Sequence, residues 1–192
     1  EACKEACPFG SINYDDADKE MALNVGAIVV ATGFDLLDVK KAPQYGYGKL
    51  DSVYTSLEFE RLVNANGPTA GEILLRNGRP PKSIALIHCV GSRTAEHHQH
   101  CSAVCCSYLF KFAHQVLQKL PHTSITSFYS DLCLPGKEGQ RFFDKISQEA
   151  NMKAIHVKAP NAVAIKKDRG RTTIRYMDIG GQSKTMKADM VV

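Results

Sequence analysis

The chain has 192 residues, 44% of them hydrophobic and 23% charged, with a formal net charge of +4. That length suits one medium domain, or one domain with a piece of another, and the composition is rich enough to bury a core. Cations alternate with anions and form no stripe interleaved with aromatics, which argues against nucleic acid as a partner; the longest apolar run, Gly26 to Thr32, is far too short to insert in a bilayer.

The chain opens at Glu1 without a Met or the charged and apolar regions of a signal peptide, and it stops inside Met190-Val191-Val192. Both termini read as cuts through a longer, cytoplasmic protein. There are seven cysteines. An odd, clustered set in a chain without secretory features favours metal or redox chemistry over a disulfide framework.

Residues 1–15 stand apart, with two cysteines and the turn-forming CPFGS but too little apolar material for a core. Met21 and Leu23 lead into VGAIVVATGF, an apolar, β-branched run ended by Gly33, as expected of a buried parallel strand. A Gly/Tyr/Pro-rich stretch follows. TSLEFERLVNANGP then predicts a helix, with Thr55 and Glu58 as a capping box, Leu57, Leu62 and Val63 as apolar positions, and Gly67-Pro68 as the stop. SIALIHC reads as a second buried strand. SYLFKFAHQVLQKL has a helical face of Leu109, Phe112, Ala113, Val116, Leu117 and Leu120. SITSFYSDL, EGQRFFDKISQEA and KAIHVK read as strand, helix and strand; AVAIKKD, TTIRYMD and MKADMVV read as an antiparallel ribbon and a final strand. This alternation predicts an α/β chain whose parallel sheet has helices on both faces, a nucleotide-binding type of half-domain.

A dinucleotide-binding unit turns from its first strand into its helix through G-x-G-x-x-G, whose glycines admit a pyrophosphate at the helix N-terminus. Here that turn is HCVGSRTAEHHQHCSAVCC, with Gly91 its only glycine and four cysteines, Cys89, Cys101, Cys105 and Cys106. The adjacent pair disfavours a zinc finger or ribbon, whose ligands come as spaced pairs on knuckles. A cubane is easier to serve, because neighbouring cysteines reach different irons. A Cys105–Cys106 redox disulfide, as in a pyridine-nucleotide disulfide oxidoreductase, a zinc-stabilised interaction domain, and burial of the thiols as small hydrophobes are the other readings. His97, His98 and His100 read as a solvated loop or as metal ligands. Cys3 and Cys7, in CKEACP, match the last two positions of the bacterial ferredoxin run C-x2-C-x2-C-x3-C-P. Cys133 stands alone, as a buried or half-buried thiol.

CxxxCPxGSINYD, VGAIVVATGFD, the YGYG and TSLEFERLVNANGPT stretch, PKSIALIHCVGSR and CSAVCCSYLFK together resemble the A-type subunit family of heterodisulfide reductase and its quinone-interacting oxidoreductase relatives, nearly continuously over residues 1–140. The resemblance implies a fragmentary three-layer FAD/NAD(P)-binding, thioredoxin-reductase-like fold. Residues 1–15 would be the tail of an inserted ferredoxin-like module, 16–79 the end of an FAD-binding half, and 80–192 an NAD(P)-binding-like half. It implies a 4Fe–4S cluster on Cys89, Cys101, Cys105 and Cys106, FAD against Ala31, Thr32, Gly33 and Phe34, and Lys111 near the flavin ring. It further implies an electron-transfer protein, with bifurcation at the flavin and partner subunits of a heterodisulfide-reductase-like or quinone-interacting complex. The FAD pyrophosphate loop and the first two ferredoxin cysteines are missing from these residues.

Overall fold

The run SIALI forms strand β1 (Ser83–Ile87), whose last four residues are buried. Its side chains alternate between two cores, as a strand covered on both faces requires. Ile84 and Leu86 join Phe59, Phe112 and Val116, whereas Ala85 and Ile87 join Phe128, Val163 and Ile174. The computed structural model describes residues 1–192 and has two compact units, Glu1–Asp35 and Leu36–Val192. β1 is central to the second.

In that unit β1 lies between β2 (Ser124–Tyr129) and β7 (Met190–Val191), with β3 (Met152–His156) beyond β2, and every pairing is parallel. The β1-to-β2 connection carries helix α3 (Cys105–Lys119), and the β2-to-β3 connection carries α4 (Gly136–Ser147). Both crossovers step in the same direction, and right-handed connections of that kind lay their helices on one face. Helix α2 (Ser56–Val63) packs there too: ring centroids of Phe59 and Phe112 are 4.9 Å apart, as are those of Phe110 and Phe143.

The other face is covered by a three-stranded antiparallel sheet, β4 (Val163–Asp168), β5 (Arg171–Met177) and β6 (Ser183–Ala188). The expectation of helices on both faces is therefore corrected. The chain from β3 back to β7 steps the opposite way across the sheet, and it spends that second face on the ribbon. Tyr176 of β5 packs on Phe128 of β2 with centroids 4.9 Å apart. The result is α/β, with one parallel and one antiparallel sheet.

The capping box forms as expected: the Glu58 amide donates to Thr55 Oγ1 at 3.2 Å, and the Thr55 amide donates to Glu58 Oε2 at 2.7 Å. Its apolar stripe differs, since Phe59 is buried and Leu57 exposed. α3 also buries Phe110 beyond its expected stripe, because α4 lies against that side. Residues 36–79 and 80–192 share one compact unit. Val53 bridges Val191 in parallel, and the Tyr54 amide donates to the Val191 carbonyl at 2.9 Å.

The first unit holds one short helix, α1 (Ala2–Ala6), and no strand. VGAIVVATGF is non-helical and exposed, with Ile28 at 81% and Val29 at 88%, so the buried strand expected there does not form. A parallel strand exists only in a ladder, and no strand of its own unit offers one.

Phe110 is fully buried, so Phe110→Ala should cost about 3–5 kcal/mol of unfolding free energy in denaturant titrations. Thr55→Ala, which removes the cap, should cost about 1 kcal/mol.

Candidate metal centre

Connections leave β1 towards β2 on one side, while β7 enters on the other, so the carboxyl end of β1 is a topological switch point, where open α/β sheets build their sites. His88 and Cys89 follow β1 directly. The loop from there to α3 bends through left-handed residues at Cys89 (φ 57°), Gly91 (φ 75°), Arg93 (φ 60°) and Ala103 (φ 61°). For the three with side chains that conformation costs about 1 kcal/mol or more each, and such residues concentrate at functional sites. At Gly91 glycine is required twice over, since a Cβ would also stand 2.5 Å from Leu37 Cδ2. The loop is pinned by Ser92 N–H to Cys89 O (3.0 Å), by His98 N–H to Gly91 O (3.2 Å), and by an Arg93–Asp131 ion pair reaching the loop after β2.

This backbone gathers the thiols. Cys89, Cys105 and Cys106 are buried, and Cys101 is half-buried; all are free thiols. Cys105 and Cys106 open α3, whose N-terminus has no side-chain cap, so its unpaired amides and dipole favour negative charge there. Donation by Cys106, Cys89 and Ser102 holds the Cys105 thiol far below its ordinary value. Cys89 and Cys106 are pushed up because they donate to Cys105 and are buried. Amides also reach sulfur: Ala103 N–H donates to Cys101 Sγ at 3.3 Å, and Cys133 N–H to Cys106 Sγ at 3.5 Å.

Cys133, read from sequence as solitary, belongs to this group. Its amide reaches Cys106 Sγ, and the neighbouring Cys101 raises the pKa of its thiol. The signal for it lay in the strand order: β2 pairs with β1 in parallel, so the loops after both strands emerge at the same edge. His88 was also missed. It is buried at 2% exposure, its Nε2 lies 2.6 Å from Ser127 Oγ, its Nδ1 has no partner, and burial pushes its pKa down to about 4.

No three Cys, His, Asp or Glu side chains converge as a ready cage for a metal ion. Five sulfur donors from three segments, with amide N–H groups aimed at two of them, nonetheless suit an iron–sulfur cluster in their chemistry. Among the loop histidines, His98 and His100 are exposed with rings 5.5 Å apart, and His97 is half-buried. Lys111 Nζ donates to Glu60 Oε2 at 2.6 Å and lies 5.0 Å from the Phe112 ring centroid, which ties it to α2. In the first unit Cys3 is exposed on α1. Cys7 caps that helix with Sγ 3.3 Å from Ser11 Oγ, a contact that lowers its pKa to about 7. Ala31, Thr32, Gly33 and Phe34 are exposed, and a Cβ on Gly33 would meet nothing within 4 Å, so this unit's own residues form no flavin cradle. A cavity of about 680 Å³ borders the opposite end of β1 and is lined by Lys49, Arg76, Lys82, Lys167, Arg171 and Lys187, with no thiol.

Fold and site together define an α/β protein, with one parallel and one antiparallel sheet, whose first strand-to-helix turn carries Cys89, Cys101, Cys105 and Cys106 and a single glycine, Gly91. The chain is 37% identical, over 99% of its length, to the A-type subunit of the H2:CoB-CoM heterodisulfide,ferredoxin reductase of Methanothermobacter marburgensis, of which it spans 29%. It is 34% identical over 91% of its length to the A-type subunit of the ferredoxin:CoB-CoM heterodisulfide reductase of Methanosarcina mazei, spanning 22% of it. It is 35% identical over 99% to the A-type iron-sulfur subunit of the CoB–CoM heterodisulfide reductase of Methanocaldococcus jannaschii, spanning 29%. Over the stretch it shares with them, the chain belongs to the A-type subunit family of heterodisulfide reductase. No family profile matches it, and no helix is long and apolar enough to cross a membrane.

Because the pKa of His88 falls from 6.5 to about 4 on folding, the unfolded chain binds its proton first. The associated stability is complete above about pH 6.5 and is lost as pH falls towards about 4, by on the order of 3 kcal/mol. Urea unfolding of the metal-free protein should show that slope, and His88→Gln should flatten it.

Proposed function

We propose that this chain is part of an electron-transfer iron–sulfur flavoprotein, an oxidoreductase subunit of heterodisulfide-reductase type, and that Cys89, Cys101, Cys105 and Cys106 hold a 4Fe–4S cluster. The observation that carries this reading is the thiol cluster standing at the carboxyl end of β1, at the position of a phosphate loop. A bound cluster supplies one-electron transfer. The chain's own residues hold and tune it. The uncapped N-terminus of α3 favours the negative charge that a pyrophosphate would otherwise bring. The Ala103 and Cys133 amides donate to ligand sulfurs, which favours added negative charge and raises a cluster's potential. Burial of Cys89, Cys105 and Cys106 keeps water from three ligands.

The family resemblance extends the reading to FAD against Ala31, Thr32, Gly33 and Phe34, with Lys111 beside the ring, and to Cys3 and Cys7 as ligands in a ferredoxin-like module. FAD there exchanges electrons in pairs or singly. The names of two of these relatives join a heterodisulfide and a ferredoxin in a single reductase; this supports flavin-based bifurcation within a complex of cytoplasmic subunits.

Anaerobically purified protein should be brown, and Cys105→Ser and Cys106→Ser should each remove about four irons per chain with matching sulfide. Tightly held zinc in place of iron, or iron unchanged after all four cysteines become serine, would contradict the assignment.

A further inference from the structure

The cleft at the amino end of β1 lies roughly 20 Å from the cysteines, at the rise of an extended chain from Ser83 to Cys89. Five separate segments of the second compact unit build it. Lys49 and Asp51 come from the stretch before α2, Arg76 from the loop that precedes β1, and Lys82 from the residue just before that strand. The register of the ribbon supplies the rest. Val163 and Ile165 of β4, with Ile174 and Tyr176 of β5, are buried against the parallel sheet. Two residues beyond them Lys167 pairs with Thr172, which pairs in turn with Ala188. Side chains two apart share a face of a strand, so the ribbon overhangs the amino end of the parallel sheet and turns Lys167 and Thr172 onto the cleft. Thr172 Oγ1 lies 2.5 Å from Ser52 Oγ, which ties the overhang to the stretch before α2. Arg171 and Lys187 stand next to Thr172 and Ala188 in the lining.

Six cations and two carboxylates, Asp51 and Asp189, thus line one concavity, an excess of four that equals the net charge of the whole chain. Everywhere else cations and anions balance. None of the six forms an ion pair with a carboxylate. Asp189 Oδ2 accepts instead from the Lys82 amide at 2.8 Å. Arg76 is positioned without a carboxylate: its Nε donates to the Asp51 carbonyl at 3.1 Å, and its guanidinium carbon lies 5.7 Å from the Tyr54 ring centroid. Unpaired like charges around a concavity focus a positive potential in it, which an anion relieves. A volume of about 680 Å³ is that of a small-molecule site, with Leu50, Leu75 and Ala188 as an apolar wall. We propose that this cleft binds an oligophosphate, free or as the phosphate tail of a nucleotide. Such a chain concentrates several negative charges in a length that the cleft spans. Arg76 and Arg171 offer planar forks to phosphate oxygens, and the four lysines offer point charges. The site is separate from the cluster, since no thiol lines it.

Titration calorimetry of the anaerobically purified protein with inorganic tripolyphosphate, and separately with ATP, tests this in magnesium-free buffer at about 0.1 M salt, where long-range charge effects are screened. Three proteins are compared: the parent, the double variant Lys167→Glu, Lys187→Glu in the cleft, and the double variant Lys137→Glu, Lys145→Glu on exposed positions of α4, which changes the net charge equally. Circular dichroism confirms that each is folded. Tripolyphosphate should bind the parent at one site per chain and raise its Tm. The cleft variant should bind about tenfold more weakly or worse, and the α4 variant within about twofold of the parent. Tighter binding of ATP than of tripolyphosphate supports a nucleotide, with its base on the apolar wall; equal affinity supports the phosphate chain alone. Equal weakening in both double variants would overturn the site as a mere effect of net charge. Binding of polyglutamate with no binding of either phosphate probe would overturn it in favour of an acidic protein surface, and no binding of any probe would overturn it outright.

Discussion

The parallel pairing of β1 with β2 on one side and β7 on the other is the constraint on which everything else depends. It puts the carboxyl ends of β1 and β2 at one edge, so the loop bearing Cys89 and Cys101 meets the loop bearing Cys133. It also sets the direction of each crossover. Two steps one way stack α3 and α4 on one face, and the step back to β7 leaves the other face to the ribbon. The thiol cluster is where these connections part.

The electrostatics of that point follow from the same geometry. A helix beginning just past a strand end presents unpaired amides, and in dinucleotide-binding folds a pyrophosphate satisfies them. Here the first residues of α3 are themselves cysteines, and the neighbours of one of them, Cys105, draw its pKa down. The uncapped end of α3 and the lowered pKa of Cys105 both favour negative charge at this point. His88 beside it stays uncharged through burial.

Much of this was legible in the sequence because it was local. The capping box at Thr55 and Glu58, the continuous apolar SIALI and the vicinal Cys105-Cys106 each carry their meaning within a few residues. What was not legible depended on distant partners. VGAIVVATGF has the composition of a buried strand, but composition does not say where its ladder is, and residues 25–34 are exposed in their own unit. The ribbon's strands were readable, yet the face they would cover was set by crossover direction. Cys133 looked solitary because its neighbours lie 27 and 32 residues away in the chain, at Cys106 and Cys101; only the β1–β2 pairing brings them together.

The central claim is that the thiols at the carboxyl end of β1 hold a four-iron cubane. Mössbauer spectroscopy of anaerobic protein enriched in 57Fe tests it most directly, read as the difference between the parent and the Cys105→Ser, Cys106→Ser double variant. The account predicts that the difference spectrum is that of a 4Fe–4S cluster with delocalised mixed-valence iron pairs. A difference spectrum of a single thiolate-bound iron, or no difference between the two proteins, would contradict it.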